Sequence, residues 1–285
     1  IRIDDGFNVV EMVEQPSGEI KPRNVGFVRV TKVYAEFSRA QIIIGGVFWG
    51  RLERGMMVEE RPRFPFDFVL AGFLPPVQIQ TGKFKLNEIG VDNDTLEITS
   101  YGKFGYTGRF NVNFNIGRTL ESQISQFWFV LSGSVGVIPI QAKFFGEDVN
   151  MAIFGRFDLG LMKKFYFRRL ALTLESSVSY SNFEFSIKKT KGSDTVKYAL
   201  SPSSWFLGII AGSGLEFVIT PDVNIGGSVY YQVTPKTNEW SFLRKVGDEE
   251  KRRKVNFGSA DLSGFAFQFY VNISIKNFAK VRRLD

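Results

Sequence analysis

The stretch Phe265–Ile275, FAFQFYVNISI, decides the fold. Its even-numbered positions are small or polar, whereas its odd-numbered positions are all apolar: Phe265, Phe267, Phe269, Val271, Ile273 and Ile275. Because a β-strand sends alternate side chains to opposite faces, one face of this strand is hydrocarbon and the other is polar. Its length matches the roughly 9–11 residues that a tilted strand needs to cross a bilayer. The pattern predicts that the six apolar side chains form a lipid-facing belt.

The same alternation recurs earlier in the chain, in Arg109–Gly117, Met151–Leu161, Leu170–Tyr180 and Val223–Val233. Strands of soluble sandwiches are usually about 5–6 residues long, so the repeated longer segments favour a membrane-spanning β-barrel. The apolar positions change parity near Ser181–Asn182. That change predicts a β-bulge, which is common at barrel rims.

The composition excludes a helical membrane protein. Hydrophobic residues make up 44% of the 285-residue chain, but no run reaches the roughly 18 apolar residues of a spanning helix. Only helices and closed barrels satisfy every backbone polar group in lipid. A membrane protein of this sequence is therefore a barrel, in which apolar residues occupy every second position.

The spacing of strand and turn signals predicts about 12 strands, with 10–14 open, in an antiparallel barrel over residues 25–276. We expect residues 1–24 to be an N-terminal extension or plug and residues 277–285 a basic C-terminal tail. The twelve candidate segments are Phe27–Phe37, Gln41–Gly50, Phe66–Leu74, Val77–Leu86, Leu96–Lys103, Tyr106–Gly117, Gln126–Ile140, Val149–Leu161, Phe165–Ile187, Trp205–Thr220, Asp222–Thr234 and Phe257–Ile275.

The connections alternate in length. Thr220–Asp222 is a tight turn, whereas Lys188–Ser204 and Thr234–Asn256 are long and polar. Bacterial outer-membrane barrels have short periplasmic turns and long outer loops. We therefore expect the two long segments on the outer face.

The final strand resembles the assembly signal of the bacterial outer-membrane β-barrel class. In that signal a glycine precedes hydrophobic positions of matching parity, and here Gly264 precedes Phe267 and Phe269 in SGFAFQF. The class typically ends on an aromatic residue, whereas this chain continues through Lys276–Asp285. The resemblance implies a barrel over roughly residues 25–276 and a location in the outer membrane of a Gram-negative bacterium.

The chain lacks the residues that most catalytic sites use. It contains no histidine and no cysteine, so Ser–His and Cys–His pairs and thiolate metal sites are excluded. The phospholipase, palmitoyltransferase and surface-protease families of outer-membrane barrels use a histidine. We therefore expect no enzyme activity, no catalytic residue, no metal site and no cofactor.

The inward-facing positions carry the functional signal. The candidates for lumen-facing polar residues are Arg109, Arg156, Asp158, Glu175, Glu216, Asn224 and Gln268. Because a twelve-stranded barrel encloses more space than such side chains fill, we expect water or an inserted segment inside. Water would make a porin-like passive channel for small polar solutes. The alternatives are a non-conducting barrel that anchors or scaffolds a larger surface or secretion assembly, and a soluble all-β binding module.

The charge distribution indicates the partners. The net charge is +7, and Arg244–Lys254 is a strongly basic segment. Solvation, lipopolysaccharide phosphates and nucleic acid are the three interpretations of such a segment, in that order. Nucleic acid is disfavoured because few exposed aromatic residues accompany the basic ones. We expect outer-membrane lipid as the main partner, with lipopolysaccharide and a protein of a larger assembly as candidates.

Overall fold

The computed structural model describes residues 1–45, 52–53, 55–85, 95–120, 124–144, 146–191, 194–247 and 249–276. These ranges form almost only antiparallel β-structure, together with one short helix, α1 (Ile116–Thr119). The N-terminal region contributes a four-stranded sheet in the order β3-β2-β1-β4. Its strands are β1 (Gly6–Glu14), β2 (Ile20–Val33), β3 (Ser38–Ile44) and β4 (Met57–Arg61).

The rest of the described chain forms a second, larger sheet system. Its strands are β5 (Arg63–Leu74), β6 (Gln78–Ile79), β7 (Gly82–Lys85), β8 (Thr95–Tyr101), β9 (Tyr106–Asn115), β10 (Phe127–Phe144), β11 (Glu147–Phe167), β12 (Leu170–Lys191), β13 (Asp194–Pro202), β14 (Phe206–Val218), β15 (Val223–Val233), β16 (Thr237–Val246), β17 (Glu249–Asp261) and β18 (Gly264–Lys276). No helix in the described part of the chain is long and apolar enough to cross a membrane.

Eight of the described strands pair in a closed antiparallel ring, in the order β5-β9-β10-β11-β12-β14-β15-β18. The ring closes where β18 returns to β5, with Tyr270 opposite Ala71 and Phe269 opposite Gly72. The antiparallel barrel expected from the sequence is therefore confirmed, but the expected strand number of about twelve is wrong for the ring.

The difference in strand number has a topological cause. Eight of the twelve predicted segments lie on ring strands. The described parts of Phe27–Phe37 and Gln41–Gly50 belong to the N-terminal sheet, and those of Val77–Leu86 and Leu96–Lys103 belong to an extension of the barrel. Alternation marks any half-buried strand. The alternation pattern therefore could not distinguish strands that span the membrane from strands that pair above or below it.

The extension continues three ring strands beyond the barrel. The distal parts of β10, β11 and β12 pair outward with β8 and β7 on one side and with β13, β16, β17 and β6 on the other. Its interior is apolar, with Phe144, Phe185 and Phe242 in edge-to-face contact and Trp240 fully buried. The segments Lys188–Ser204 and Thr234–Asn256, expected as loops, largely form these strands.

The change of apolar parity near Ser181–Asn182 is explained by this extension and not by a bulge. β12 pairs with β11 without a register shift from Leu170 to Glu184. Phe183 and Phe185 continue the inward-facing row of Ser179 and Ser181, and both are buried. The strand leaves a polar barrel interior and enters an apolar one, so the predicted β-bulge is absent from this stretch.

The two ends of the barrel differ as they do in outer-membrane proteins. At one end β11 meets β12 through Arg168–Arg169, and β14 meets β15 through Ile219–Asp222. At the other end the connections contain the strands of the extension. Because such barrels have short periplasmic turns and long outer loops, the extension is extracellular and the N-terminal sheet is periplasmic.

The N-terminal sheet lies against the periplasmic mouth of the barrel. Asp4 binds Ser125 and Gln126 before β10, and Gln41 donates to the carbonyl of Tyr166 at the end of β11. The predicted boundary at residue 25 is wrong, since it falls within β2 and the first ring strand begins at Arg63. The reason is that β1 pairs along its whole length with residues Ile20–Arg29 of β2, on both sides of that boundary. The predicted tail 277–285 lies outside the described residues.

Cysteine labelling tests this orientation, because the native chain has no cysteine. Lys254 in β17 and Lys21 in β2 are well exposed, with side-chain accessibilities of 77% and 57%. A membrane-impermeant maleimide should label Lys254→Cys in intact cells. It should label Lys21→Cys only after the outer membrane is permeabilised. Equal labelling of both variants in intact cells would contradict the assigned orientation.

A second prediction concerns the outer face of the ring. Phe269 in β18 and Met151 in the distal part of β11 both point outward, with exposures of 70% and 57%. Phe269→Arg should destabilise the barrel by about 2–4 kcal/mol, the cost of a charge on the lipid face near mid-bilayer. Met151→Arg lies beyond the belt and should change stability little. Urea unfolding in lipid vesicles measures both, and equal costs would count against a lipid belt at Phe269.

Candidate functional site

The structure brings the seven predicted lumen-facing residues together inside the ring. Arg109, Arg156, Asp158, Glu175, Glu216, Asn224 and Gln268 are all buried. The six residues of the predicted lipid-facing belt lie on the opposite, outer face of β18, where Phe265 is 59% and Phe269 70% exposed. Both placements follow from strict alternation along strands that have one face inside a closed barrel.

The interior residues nearest the extension form a charge cluster around Arg109. Its guanidinium lies 3.1 Å from Asp158 Oδ2 and 3.4 Å from Glu175 Oε1. It also donates to Gln268 Oε1 at 2.5 Å and to Ser132 Oγ at 3.0 Å. This one side chain therefore joins strands on opposite sides of the barrel.

Arg156 extends the same cluster toward the extension. Its Nε donates to Asp158 Oδ1 at 2.5 Å, and its Nη1 donates to Gln232 Oε1 at 2.6 Å. The guanidiniums of Arg109 and Arg156 lie 5.2 Å and 4.9 Å from the ring centre of Phe73. An aromatic face attracts cations, so Phe73 contributes, with the shared carboxylate of Asp158, to holding two like charges in one cluster.

A second cluster lies nearer the periplasm and centres on Glu216. Lys164 Nζ lies 2.9 Å from Glu216 Oε2, and Asn224 Nδ2 donates to Glu216 Oε1 at 2.9 Å. Tyr270 and Asn272 donate to the same carboxylate at 3.4 Å. All of the polar bonds of Glu216 are therefore made within the barrel.

The two clusters meet at a cavity of ≈ 20 Å³, which Glu175, Glu216, Tyr230 and Tyr270 line together with amide side chains. Such a volume holds about one water molecule. An eight-stranded barrel is just wide enough for side chains to fill its interior. The wide lumen expected from the sequence depended on about twelve strands, and this ring does not provide it.

Interior glycines make room for the large polar side chains. A Cβ at Gly226 would overlap the ring of Tyr270, and a Cβ at Gly212 would lie 2.5 Å from the ring of Tyr230. The inward glycines of β14 and β15 therefore supply the space that two tyrosines of neighbouring strands occupy.

Polar contacts join the N-terminal sheet to the periplasmic end of the barrel. Arg29 donates to Gln126 Oε1 at 2.9 Å, and Asp4 accepts from the Gln126 amide nitrogen at 2.7 Å. Burial would lower the pKa of Arg29, but the nearby Tyr166, Asp4 and Asp67 raise the pKa above its usual value. Phe27 belongs to one buried apolar cluster with Tyr166, Ala171 and Val218 of the barrel.

The interior includes functional residues that the sequence analysis missed. Lys164 falls between the predicted segments Val149–Leu161 and Phe165–Ile187, but it lies inside β11 because the turn falls at Arg168–Arg169. Tyr230 and Tyr270 each carry a hydroxyl into the clusters. Their even-numbered positions, which alternate with outward apolar residues of β15 and β18, were the sequence feature that could have identified them as inward-facing. Within the described ranges, no three side chains of the types His, Cys, Asp or Glu are grouped as metal ligands.

The chain matches no protein-family model, and no curated protein matches its sequence. Among solved structures it is similar to a major outer membrane protein from Thermus thermophilus, at 9% identity and a TM-score of 0.46, over 74% of this chain and 99% of that one. It is also similar to the outer membrane protein AlkL, at 18% identity and a TM-score of 0.41, over 81% and 100%. It is similar as well to Neisserial surface protein A, at 9% identity and a TM-score of 0.37, over 74% of this chain and 97% of that one.

The fold is that of a bacterial outer-membrane β-barrel. These solved structures resemble the chain in fold alone. The physical grounds for the assignment are the closed ring, its apolar outer face and its unequal ends, which together meet the requirements for a sheet that spans a bilayer. The barrel is accordingly an integral protein of the outer membrane.

The ion pair of Lys164 and Glu216 provides a test of the interior network. Lys164→Met leaves a buried carboxylate without its counter-charge and should destabilise the barrel by about 3–5 kcal/mol. The double variant Lys164→Met with Glu216→Leu removes both charges and should recover most of that loss. Urea unfolding of the four proteins of this cycle measures the coupling. Additive losses would mean that the pair is not coupled.

Proposed function

We propose that this protein is a non-conducting outer-membrane barrel that anchors β-sheets on both sides of the membrane, as a subunit of a larger surface or secretion assembly. The observation that carries the proposal is an interior filled from end to end. Apolar side chains fill the extension, the two charge clusters fill the membrane level, and the N-terminal sheet lies across the periplasmic mouth.

The interior contacts argue against free passage of solutes. Arg109 joins Asp158, Glu175 and Gln268, and these bonds connect strands on opposite walls. A polar solute would have to break several buried, charge-assisted bonds at once, and such bonds are the strong ones in a site with little water. The passive channel expected from the sequence depends on a wider, water-filled lumen, so the filled interior favours the anchoring alternative.

The interior also offers little to an enzyme. The carboxylates of Asp158, Glu175 and Glu216 bind cations or tyrosine hydroxyls of the same network. General acid–base catalysis needs a group within reach of a substrate proton. The proposal therefore assigns no catalytic residue, and the absence of histidine from the sequence supports that choice.

The parts outside the membrane suit an anchoring role. Among the described strands, β3 and β4 are the edges of the N-terminal sheet, and a free sheet edge can accept a strand from a partner. On the outer side, the β16–β17 hairpin carries exposed basic residues such as Lys251 and Arg252. Contact of Arg244–Lys254 with lipopolysaccharide phosphates stays a prediction, as does the protein partner.

Planar-bilayer recording tests the closed interior. The purified, inserted protein should give no conductance steps under conditions in which a general porin of known conductance does. Steps in preparations of this protein would be checked with Arg109→Glu, since a change of ion selectivity in that variant assigns the current to this barrel. Steady conductance with altered selectivity in Arg109→Glu would overturn the proposal.

Cross-linking in cells tests the assembly role separately. A photo-reactive amino acid at Glu59 in the edge strand β4, which is exposed, should give one discrete cross-linked product. The matched control is the same amino acid at Met151, which is also exposed but lies on β11, away from the periplasmic sheet. A barrel that is silent in bilayers and gives no product from Glu59 would be an anchor without a periplasmic partner.

A further inference from the structure

The β2–β3 hairpin, residues Lys32–Arg39, carries two exposed aromatic side chains at its turn. Tyr34 and Phe37 are 45% and 64% exposed, and their rings stack with centroids 4.5 Å apart. The turn is tight, since the Tyr34 amide donates to the Phe37 carbonyl at 2.9 Å. Stacking covers one face of each ring, so Phe37 keeps most of its surface outside the described protein.

Two basic residues face each other on the same hairpin. Lys32 and Arg39 are directly opposite in the antiparallel register of β2 and β3, and both are exposed. Like charges in this position destabilise a strand pair. The hairpin contains one acid, Glu36, against these two bases, so its net charge is +1. A negatively charged surface beside the hairpin would offset the repulsion between the two bases.

Contacts with the barrel rim show where the hairpin leads. Phe27 shares an apolar cluster with Val218 at the end of β14. Two positions later, Arg29 donates to Gln126 before β10 and to Tyr166 on β11. The chain therefore crosses the periplasmic mouth toward the wall formed by β10 and β11, and from there β2 continues away from the mouth into the hairpin.

The face of β3 that touches the rim also carries Arg39. Gln41 Nε2 donates to the Tyr166 carbonyl at 2.5 Å, and Arg39 lies two positions from Gln41 on the same face of the strand. Tyr166 precedes Phe167, an outward-facing residue of β11 that is 68% exposed. At about 3.3 Å per residue, the four residues from Gln41 to Phe37 span about 13 Å. The turn therefore extends past the barrel wall, and its basic face is directed toward the membrane.

We propose that the β2–β3 hairpin binds the periplasmic leaflet of the outer membrane. Lys32 and Arg39 contact the phosphates of anionic phospholipids, because basic side chains favour an anionic surface. The rings of Tyr34 and Phe37 lie between headgroups and acyl chains, a boundary where aromatic side chains are enriched. The exposed Arg168 in the β11–β12 turn continues the same basic rim. The inference rests on the orientation of the barrel, and it holds for a conducting and for a closed barrel alike.

A fluorescent probe at the turn tests the contact with lipid. The full chain is labelled with the environment-sensitive probe NBD at Phe37→Cys and reconstituted into phosphatidylcholine vesicles with or without phosphatidylglycerol. The matched control is the same probe at Ala40→Cys, since Ala40 is exposed but lies on the face of β3 opposite to Arg39 and Gln41. Nitroxide quenchers attached to the lipid should quench the Phe37 probe strongly and the Ala40 probe weakly, and phosphatidylglycerol should increase the quenching at Phe37.

Charge variants make the test specific. In vesicles with phosphatidylglycerol, Lys32→Gln with Arg39→Gln should shift the equilibrium from bound to free hairpin about fivefold for each basic residue removed. Lys21→Gln with Arg23→Gln removes the same charge from β2 at the other end of the sheet, where both side chains pair with acids. This control should leave the quenching of the Phe37 probe unchanged.

Three results would overturn the proposal. They are equal quenching at Phe37 and Ala40, quenching at Phe37 that is independent of phosphatidylglycerol, and a Phe37 probe that neither lipid-bound nor aqueous quenchers reach. The last result would mean that a protein surface, such as a second copy of the chain, covers the turn. If the labelled variants do not refold, a photo-reactive phosphatidylglycerol added to the native chain decides, because its adducts should lie on the peptide that contains Tyr34 and Phe37.

Discussion

Every backbone amide and carbonyl inside a bilayer must find its partner within the protein, because hydrocarbon offers none. In this chain that constraint is met by the return of β18 to β5, where Tyr270 lies opposite Ala71. The contact joins residues almost two hundred positions apart and turns an open sheet into a ring without edges. Because the ring is closed, alternate side chains lie inside or outside it. The inside is buried and polar, and the ring has two ends whose connections differ in length.

Ring size then determines what the interior can be. Eight strands leave room for side chains and little more, and the sequence fills that room with opposite charges in contact. Arg109 with Asp158 and Lys164 with Glu216 have side chains that are almost completely inaccessible. Such pairs are expensive to desolvate and expensive to break singly. A barrel built in this way has a specific, densely filled interior, and the proposed anchoring role depends on that filling.

The parts beyond the membrane are built on different principles. The extension has an apolar core of Phe144, Phe185 and Trp240, as a soluble sheet protein does. The N-terminal sheet instead uses both kinds of contact, with Phe27 in an apolar cluster and Arg29 bound to Gln126 and Tyr166. The outer and inner ends of the barrel are therefore extended by separate structures that are held by different kinds of contact.

The sequence by itself determined the barrel class, the outward face of Phe265–Ile275 and the inward direction of residues such as Arg109 and Glu216. Strict alternation is a local property, and a strand with one apolar face has few ways to fold. Only the tertiary structure decided the number of ring strands, the place of Phe183 in an extracellular core and the pairing of Lys164 with Glu216. These depend on which strand lies beside which, and the contacts involved are between residues far apart in the chain. A local pattern is the same for a strand that crosses the membrane and for one that pairs above it.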